Sequence, residues 1–401
     1  MLLALLFAAG AFTLAAPGTL GPRWLLTALA AVAAAWVMLG PRDVERDDTL
    51  PALAVLLSAL GLLVVARVSP ELAQRQTIWL AFSLALAVLA GPAFNRFRVL
   101  AAYKYIWILV AIVLFVALAL FGQEVNGAKL WIRIGPVQFE PVEVIKLLVV
   151  LFMASYLAET GDVIARTRPW SLRANAKYLG PLFIGWGASM AILVFERDLG
   201  MAALLLATFA TMLYVATRRI DLIAGGFATF AVAATWAATH YRYVHTRIGV
   251  WQNPFADPLG AGYQSVQSLF SIAAGGLFGT GYHRGSPGYI PDVATDYIYA
   301  AWSEESGAIG AIVLCAAFLA IVRRSLRIAE RQPDLYAKLL ATGLAATLGF
   351  QVIIIIGGVL RLFPLTGITL PFFSYGGSSL VTNYLLVALI WAISSERRTT
   401  A

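Results

Sequence analysis

Long apolar runs separated by short polar segments dominate the pattern along the chain. Each run is about 17 to 22 residues long, the length that a helix needs to cross the hydrocarbon core of a bilayer. The alternating ten-residue segments that are typical of a transmembrane barrel are absent. The pattern therefore predicts an all-α, polytopic bundle of about twelve spans, at residues 2–17, 24–41, 50–68, 77–93, 105–122, 142–158, 179–195, 199–217, 222–239, 307–323, 339–360 and 375–394.

Composition agrees with this pattern and excludes a soluble globular class. Hydrophobic residues make up 60% of the chain and charged residues 12%, with a mean hydropathy of +0.81. Both fractions lie far from the averages of soluble domains. The N-terminal run lacks the basic segment of a signal peptide and is followed at once by a second run, so residues 1–45 are predicted to be a helix pair.

The net charge of +8 is interpreted as membrane topology rather than as a nucleic-acid footprint. Eighteen of the 29 Lys and Arg residues fall in alternate connections between the predicted spans, which the positive-inside rule assigns to the cytoplasm. Both termini are then cytoplasmic. Metal and disulfide chemistry have little support, because Cys315 is alone and no cluster of His, Cys and carboxylate residues, including those around His240, His245 and His283, has metal-ligand spacing.

Most of the unusual polar sequence falls on the opposite, non-cytoplasmic side. Residues 240–306 form the longest connection, and connections of this length are often functional. Within it, Gln264, Gln267, Ser268 and Ser271 recur at helical spacing opposite apolar residues. This pattern predicts an amphipathic helix that lies in the interface or lines a polar cavity.

Two charged clusters lie at the ends of predicted spans. Glu143 and Lys146 are three residues apart, hence on one helix face, and such charges are either a structural ion pair or part of a functional cavity. The "ERD" turn at 196–198 is either a solvated hairpin or a contact to an anionic headgroup through Arg197.

Other polar segments also allow two interpretations each. Arg247, Trp251, Tyr263 and Gln264 combine a cation, aromatic rings and amides, although aromatic residues favour interfaces in any case. The glycines of "GGLFGTG" (275–281) form either a phosphate loop or a tight bend. "LPFFSYGGSS" (370–379) provides either close helix approach or hydroxyls that face a cleft.

The acids of "IPDVATDYIYAAWSEESG" (290–307) are the most unusual feature of the outer side. If a helix begins at residue 292, then Asp292, Asp296 and Glu304 share one face. A stripe of this kind is either solvated or lines a polar cleft. Asp296, which "YIYAAW" follows, is the candidate general base, because aromatic surroundings tune the pKa of a carboxylate.

Together these motifs resemble the SEDS family of bacterial peptidoglycan glycosyltransferases, the group of RodA, FtsW and SpoVE. "GAKLWIRIGPVQFEPVEVIK", "ERDLG", "WQNPFADPLGAGYQSVQSLFSIAAGGLFGTG", "IPDVATDYIYAAWSEESG" and "LPFFSYGGSS" are similar to five family blocks, in order. The resemblance covers about residues 50–396 and is greatest to RodA-like members. It implies a ten-helix core within residues 46–401, preceded by an additional N-terminal helix pair.

The resemblance also implies an activity, a substrate and a partner. The expected reaction is polymerisation of lipid II into β-1,4-linked glycan at the outer face of the bacterial cytoplasmic membrane. The partner would be a class B penicillin-binding protein, with membrane lipids around the bundle and no nucleic acid. A divalent cation, Mg²⁺ or Mn²⁺, would suit a diphosphate leaving group electrostatically, although no cluster in the sequence specifies one.

The resemblance assigns the candidate site as follows. Asp296 matches the essential aspartate, and Glu143, Lys146 and Asp198 would support the cavity. Substrate-binding candidates are Trp131, Arg133, Arg197, Arg247, Gln264, Gln267, Ser268, Ser374, Tyr375, Ser378 and Ser379. The chain departs from the motifs at Glu140, Val142, Asp292, Ala294 and Ser306. The Ala294 change argues against a histidine-assisted step there.

Two rival functions remain open from the sequence. A precursor flippase would carry polar residues through the bundle towards both faces, whereas the positions inside the spans are almost free of charge apart from Lys146. A non-catalytic scaffold for a penicillin-binding protein would keep partner binding without Asp296 and would synthesise no glycan.

Overall fold

The computed structural model describes residues 46–125, 128–135, 137–167, 178–183, 186–187 and 198–395. The predicted N-terminal helix pair lies outside the described residues, as does most of the predicted span 179–195. Nine of the described helices are long and apolar enough to cross a membrane. The predicted all-α membrane bundle is confirmed for the described part of the chain.

Within the described ranges, twelve α-helices can be labelled in chain order. They are α1 (Thr49–Val68), α2 (Pro70–Phe94), α3 (Phe97–Leu100), α4 (Lys104–Phe121), α5 (Pro141–Arg166), α6 (Leu199–Thr217), α7 (Ile220–His240), α8 (Arg242–Gln252), α9 (Tyr263–Gly275), α10 (Ile298–Arg331), α11 (Leu335–Val359) and α12 (Gly377–Ser394). The span predicted at 199–217 has the same first and last residues as α6, because polar residues limit that apolar run on both sides.

A small antiparallel sheet precedes α5. Its strands, in the order β1-β2-β3, are Gln123–Val125, Ala128–Ile134 and Val137–Phe139. Arg133 pairs with Gln138 in the β2–β3 register. The hydrophobicity pattern did not predict this sheet, because two of its strands are only three residues long and show no measurable alternation.

The chain divides into two compact units. The first comprises the described residues up to Phe94, then Thr246–Arg324 and Gln351–Ser395, and the second comprises Asn95–His245 and Ser325–Phe350. In the first unit, α12 packs on α1 and α2. In the second unit, α5 lies between α4 and α6, and 83% of the most apolar 18-residue stretch of α5 is buried.

Surface chemistry in both units is that of a membrane protein. Large apolar side chains are exposed along the spans, including Leu120 at 70% and Val232 at 71%, while Gln76, Thr208 and Asn383 are buried. A lipid solvent does not penalise exposed apolar groups, whereas buried polar groups need partners inside the protein.

Candidate active site

Asp296 lies in a turn rather than on a helix. The segment 291–297 is irregular, and α10 begins only at Ile298. Asp292 has φ 51°, a left-handed conformation, and its carbonyl accepts the amides of Thr295 at 3.1 Å and Asp296 at 3.2 Å. The predicted common face of Asp292, Asp296 and Glu304 is therefore wrong, because the left-handed residue folds the acids into a turn before the helix starts.

Arg247 and Asp296 flank one glycine of the 361–376 loop. A methyl group built on Gly367, whose φ is 77°, would lie 3.1 Å from Arg247 Nη2 and 3.4 Å from Asp296 Oδ2. Arg247 comes from α8 and donates from Nη1 to the Leu365 carbonyl at 3.0 Å. Three distant segments thus bring a cation and a partly exposed carboxylate to the same point.

Helix α9 supports this turn from another direction. Gln264 Nε2 donates to Asp292 Oδ2 at 3.2 Å, and the Ser265 hydroxyl is 2.9 Å from the Tyr297 hydroxyl. Burial raises the pKa of Tyr297 to about 12, and the negative charge of Asp296 also raises it. The phenol therefore stays neutral at physiological pH and serves as a fixed hydrogen-bonding group beside Asp296.

The loop "PFFSYGG" holds the backbone of the same turn. Ser374 Oγ donates to the Thr295 carbonyl at 2.6 Å, and the Tyr375 amide donates to the Ala294 carbonyl at 2.8 Å. Gln76 of α2 holds this loop by donating to the Ser374 carbonyl at 3.0 Å and accepting from the Gly376 amide at 3.2 Å. Gln76 was not among the predicted site residues, although a glutamine beside an apolar run was a detectable signal.

The glycine-rich segment 275–281 packs on a bend in α10. Gly307 has φ 69° and ψ −173°, and a methyl group there would meet backbone atoms of Gly279, Leu277 and Phe278. The Ala308 amide donates to the Gly276 carbonyl at 3.0 Å, and the Thr280 amide to the Glu304 carbonyl at 2.9 Å. Of the two interpretations left open, these contacts favour the tight bend, because its glycines allow backbone to approach backbone.

The bend also fixes two acids at the end of the first part of α10. Glu304 Oε1 accepts from the Ser286 amide at 2.6 Å. Arg67 Nε lies 3.0 Å from Glu305 Oε1, and Arg67 Nη2 donates to the Gly285 carbonyl at 2.9 Å. These contacts give Glu304 and Glu305 a positioning role in the first unit.

Glu143 and Lys146 form a buried ion pair in the second unit. They lie on one face of α5, with Lys146 Nζ 2.5 Å from Glu143 Oε2, and their side chains are 1% and 0% exposed. A buried pair rarely adds net stability, since desolvation of both charges offsets their attraction. Its predicted role in supporting a functional cavity stays a prediction.

Asp198 caps the N-terminus of α6. Its Oδ1 accepts from the amides of Gly200 at 2.9 Å and Met201 at 3.0 Å, which satisfies two amides that have no partner within the helix. The contacts give Asp198 a structural role at the start of α6, and its predicted role in supporting the cavity stays a prediction.

We expect Asp198→Ala to destabilise the protein by about 1 kcal/mol, because the cap is lost. Asp198→Asn retains an acceptor oxygen and should cost much less. Thermal unfolding of the purified variants in detergent compares them. Equal losses for Ala and Asn would show that the charge of Asp198, rather than the cap, stabilises the protein.

The remaining candidates occupy varied positions. Trp131 and Arg133 lie on β2, with Arg133 exposed, and Arg197 lies outside the described residues. On α9, Ser268 is buried and Gln267 half-buried, while Phe270 on the other face is 55% exposed. In α12, Ser378 and Ser379 are buried, and Ser379 Oγ accepts from Thr369 Oγ1 at 2.7 Å. The predicted amphipathic helix thus turns its serines inward and its aromatic ring outward.

No group of three or more His, Cys, Asp or Glu side chains among the described residues is arranged to hold a metal ion.

Comparison with known proteins identifies the family. The model of the FtsW/RodA/SpoVE family of cell cycle proteins matches residues 48–399. The chain belongs to this family. It is 38% identical over 368 residues to the peptidoglycan glycosyltransferase RodA of Mycobacterium tuberculosis, covering 88% of this chain and 78% of that protein. It is 36% identical over 286 residues to the stage V sporulation protein E of Bacillus subtilis, covering 69% and 74%.

Two solved structures have a fold similar to that of this chain. A peptidoglycan synthase complex that coordinates polymerisation and crosslinking contains a chain with TM-score 0.71 and 28% identity, covering 87% of this chain and 98% of that one. The crystal structure of RodA from Thermus thermophilus gives TM-score 0.64 and 27% identity, covering 88% and 98%. The family assignment made from the motifs is thereby confirmed.

Proposed function

We propose that this protein polymerises lipid II into β-1,4-linked glycan strands at the outer face of the bacterial cytoplasmic membrane. Membership of a family whose relatives are peptidoglycan glycosyltransferases supports this activity. The observation that carries the proposal is the placement of the Asp296 carboxylate beside Arg247 at Gly367. A base and a cation at one partly exposed point suit a transfer with a protonated nucleophile and an anionic leaving group.

Asp296 acts as the general base in the proposed reaction. It accepts the proton of the acceptor sugar's 4-hydroxyl as that oxygen attacks the anomeric carbon of the donor sugar. The bond from that carbon to the diphosphate breaks, and undecaprenyl diphosphate leaves with the electron pair. The hydrogen bonds from Ser374 and Tyr375 hold the carbonyls of Thr295 and Ala294, the two residues that precede the base, so the carboxylate meets the hydroxyl in a fixed geometry.

Arg247 is the proposed contact for the developing negative charge of the diphosphate. Its Nη1 is anchored on the Leu365 carbonyl, which fixes the plane of the guanidinium. Arg is suited to phosphate oxygens because its planar donors bind in pairs. The remaining substrate-binding candidates, including Trp131, Arg133 and Gln264, are proposed to contact the sugars and the diphosphate.

Glu143 and Lys146 are proposed to support the cavity on the membrane side. Removing either partner would leave an uncompensated buried charge, so the pair is maintained as a unit. The partner is proposed to be a class B penicillin-binding protein, which the structural likeness to a synthase complex supports. Both termini are proposed to face the cytoplasm, with residues 1–45 as an added N-terminal helix pair.

The proposed function is tested with purified protein in detergent. Labelled lipid II is supplied with and without a cognate penicillin-binding protein, and products are resolved by length. We expect glycan chains to form and to increase when the partner is present. Translocation of lipid II in vesicles without any polymer would favour a flippase, and partner binding without polymer would favour a scaffold.

A further inference from the structure

A cavity of about 270 Å³ lies among the helical residues 178–183 and 186–187, α6 and α7. All of these belong to the second compact unit, and none contributes to the site around Asp296. Its walls are mainly apolar side chains, among them Leu182, Phe183, Phe209, Leu213 and Leu222. An open apolar cavity between membrane-spanning helices matches the chemistry of a lipid chain, since hydrocarbon surrounds these helices.

Two adjacent glycines of α7 leave this cavity open. Nothing lies within 4 Å of a methyl group built on Gly225, and one built on Gly226 would approach Trp186 Nε1 only to 4.0 Å. Both glycines line the cavity. Because Gly225 and Gly226 carry no side chain, the space beside them is available to a ligand, and a larger residue at Gly225 would fill it without displacing a neighbour.

One polar group in the wall lacks an internal partner. Trp186 Nε1 is buried and, within the described part of the chain, has no hydrogen-bond acceptor. An indole N–H is a donor only, so a buried one needs an acceptor. The charged wall residue Asp221 is engaged with Arg219, whose Nη1 also donates to the Ile164 and Thr167 carbonyls at 3.2 and 3.1 Å.

The helix ends near the cavity carry positive charge. Arg218 follows α6 and is exposed, with its guanidinium 5.3 Å from the centre of the Tyr214 ring, and Arg166 is exposed at the end of α5. Arginine at these ends marks the cytoplasmic side. It also attracts the anionic lipids of the cytoplasmic leaflet.

We propose that this cavity binds one anionic phospholipid from the cytoplasmic leaflet. An acyl chain occupies the space beside Gly225, an ester carbonyl accepts the Trp186 Nε1 hydrogen bond, and the headgroup phosphate faces Arg218. This binding does not depend on glycosyl transfer, so the proposal stands or falls separately from the proposed function.

The test measures binding of phosphatidylglycerol to the delipidated full-length protein by native mass spectrometry in detergent. We expect Gly225→Leu to weaken one binding event at least tenfold, because its side chain fills the cavity. Ala231→Leu adds comparable bulk at an exposed position of α7 outside the cavity and should leave that event unchanged. Trp186→Phe keeps an aromatic ring but removes the donor, and should weaken the same event about three- to tenfold.

Three results would overturn the proposal. Equal binding of phosphatidylglycerol by wild type, Gly225→Leu and Trp186→Phe would show that the cavity is not the site. Equal binding of phosphatidylcholine would remove the role of the anionic headgroup. If equimolar undecaprenyl phosphate displaced phosphatidylglycerol from the wild type, and if Gly225→Leu no longer bound undecaprenyl phosphate, the occupant of the cavity would be an isoprenoid lipid. Comparable melting temperatures of the variants establish that each change acts on the cavity rather than on folding.

Discussion

Asp296→Asn is expected to reduce lipid II polymerisation at least 100-fold while the protein remains folded. The amide has nearly the shape of the carboxylate but cannot accept the proton of the attacking hydroxyl, and general base catalysis contributes about 10²–10⁴-fold to rate. The measurement is the initial rate of glycan formation by the purified protein with its partner. Size-exclusion profiles and melting temperatures show whether the fold is unchanged.

Asp292→Asn is the matched control for this change. It removes the same charge from the same turn, four residues earlier, and retains an oxygen that accepts from Gln264. We expect it to lose less than tenfold in rate, because Asp292 is exposed and lies outside the Arg247–Gly367 contact. Polymerisation by Asp296→Asn at more than a tenth of the wild-type rate would contradict the assignment of Asp296 as the base.

Gly307→Ala is expected to destabilise the protein by about 2–5 kcal/mol. Alanine in the left-handed region costs about 1–2 kcal/mol. A methyl group forced against the backbone of the 275–281 segment costs about 1–3 kcal/mol more. The measurement is the apparent melting temperature in detergent, followed by the polymerisation rate of the folded fraction.

A glycine in an ordinary helix provides the comparison. Gly249 lies within α8, and a methyl group built there meets nothing within 4 Å. Gly249→Ala should therefore leave the melting temperature unchanged or slightly raised, since alanine favours the helix by about 0.5–1 kcal/mol. If Gly307→Ala and Gly249→Ala had the same melting temperature, the bend in α10 would not depend on the contact between the backbone at Gly307 and the backbone of residues 275–281.

The spans were predictable because crossing a bilayer requires a continuous run of apolar residues, which is a local property of the sequence. Helix α6 was predicted at its observed ends, and the predicted span at 50–68 differs from α1 by one residue. The amphipathic helix α9 followed from its serine and glutamine spacing in the same way. Asp296, Glu143 and Lys146 were identified through motif resemblance, which also depends only on the order of residues. Their roles remain predictions.

The surroundings of Asp296 could not be predicted from the order of residues. A helix beginning at residue 292 would have placed Asp292 and Asp296 on one face, but the left-handed conformation of Asp292 forms a turn there. The start of the helix was predicted at 307, whereas α10 begins at Ile298 and bends at Gly307. Each error arose where backbone contacts from a distant segment, rather than local propensity, determine the conformation.

The sequence by itself determined that this chain crosses a membrane, where several of its described spans begin and end, and to which family its motifs belong. Only the tertiary structure decided that Arg247 and Gly367 meet Asp296, and that Gln76 holds the Ser374–Gly376 loop. The length of each apolar run is set by residues that are neighbours in the chain. The geometry of the site depends on contacts between distant segments, such as those of Gly367 and Ser374 with the Asp296 turn more than 70 residues earlier, which no local pattern encodes.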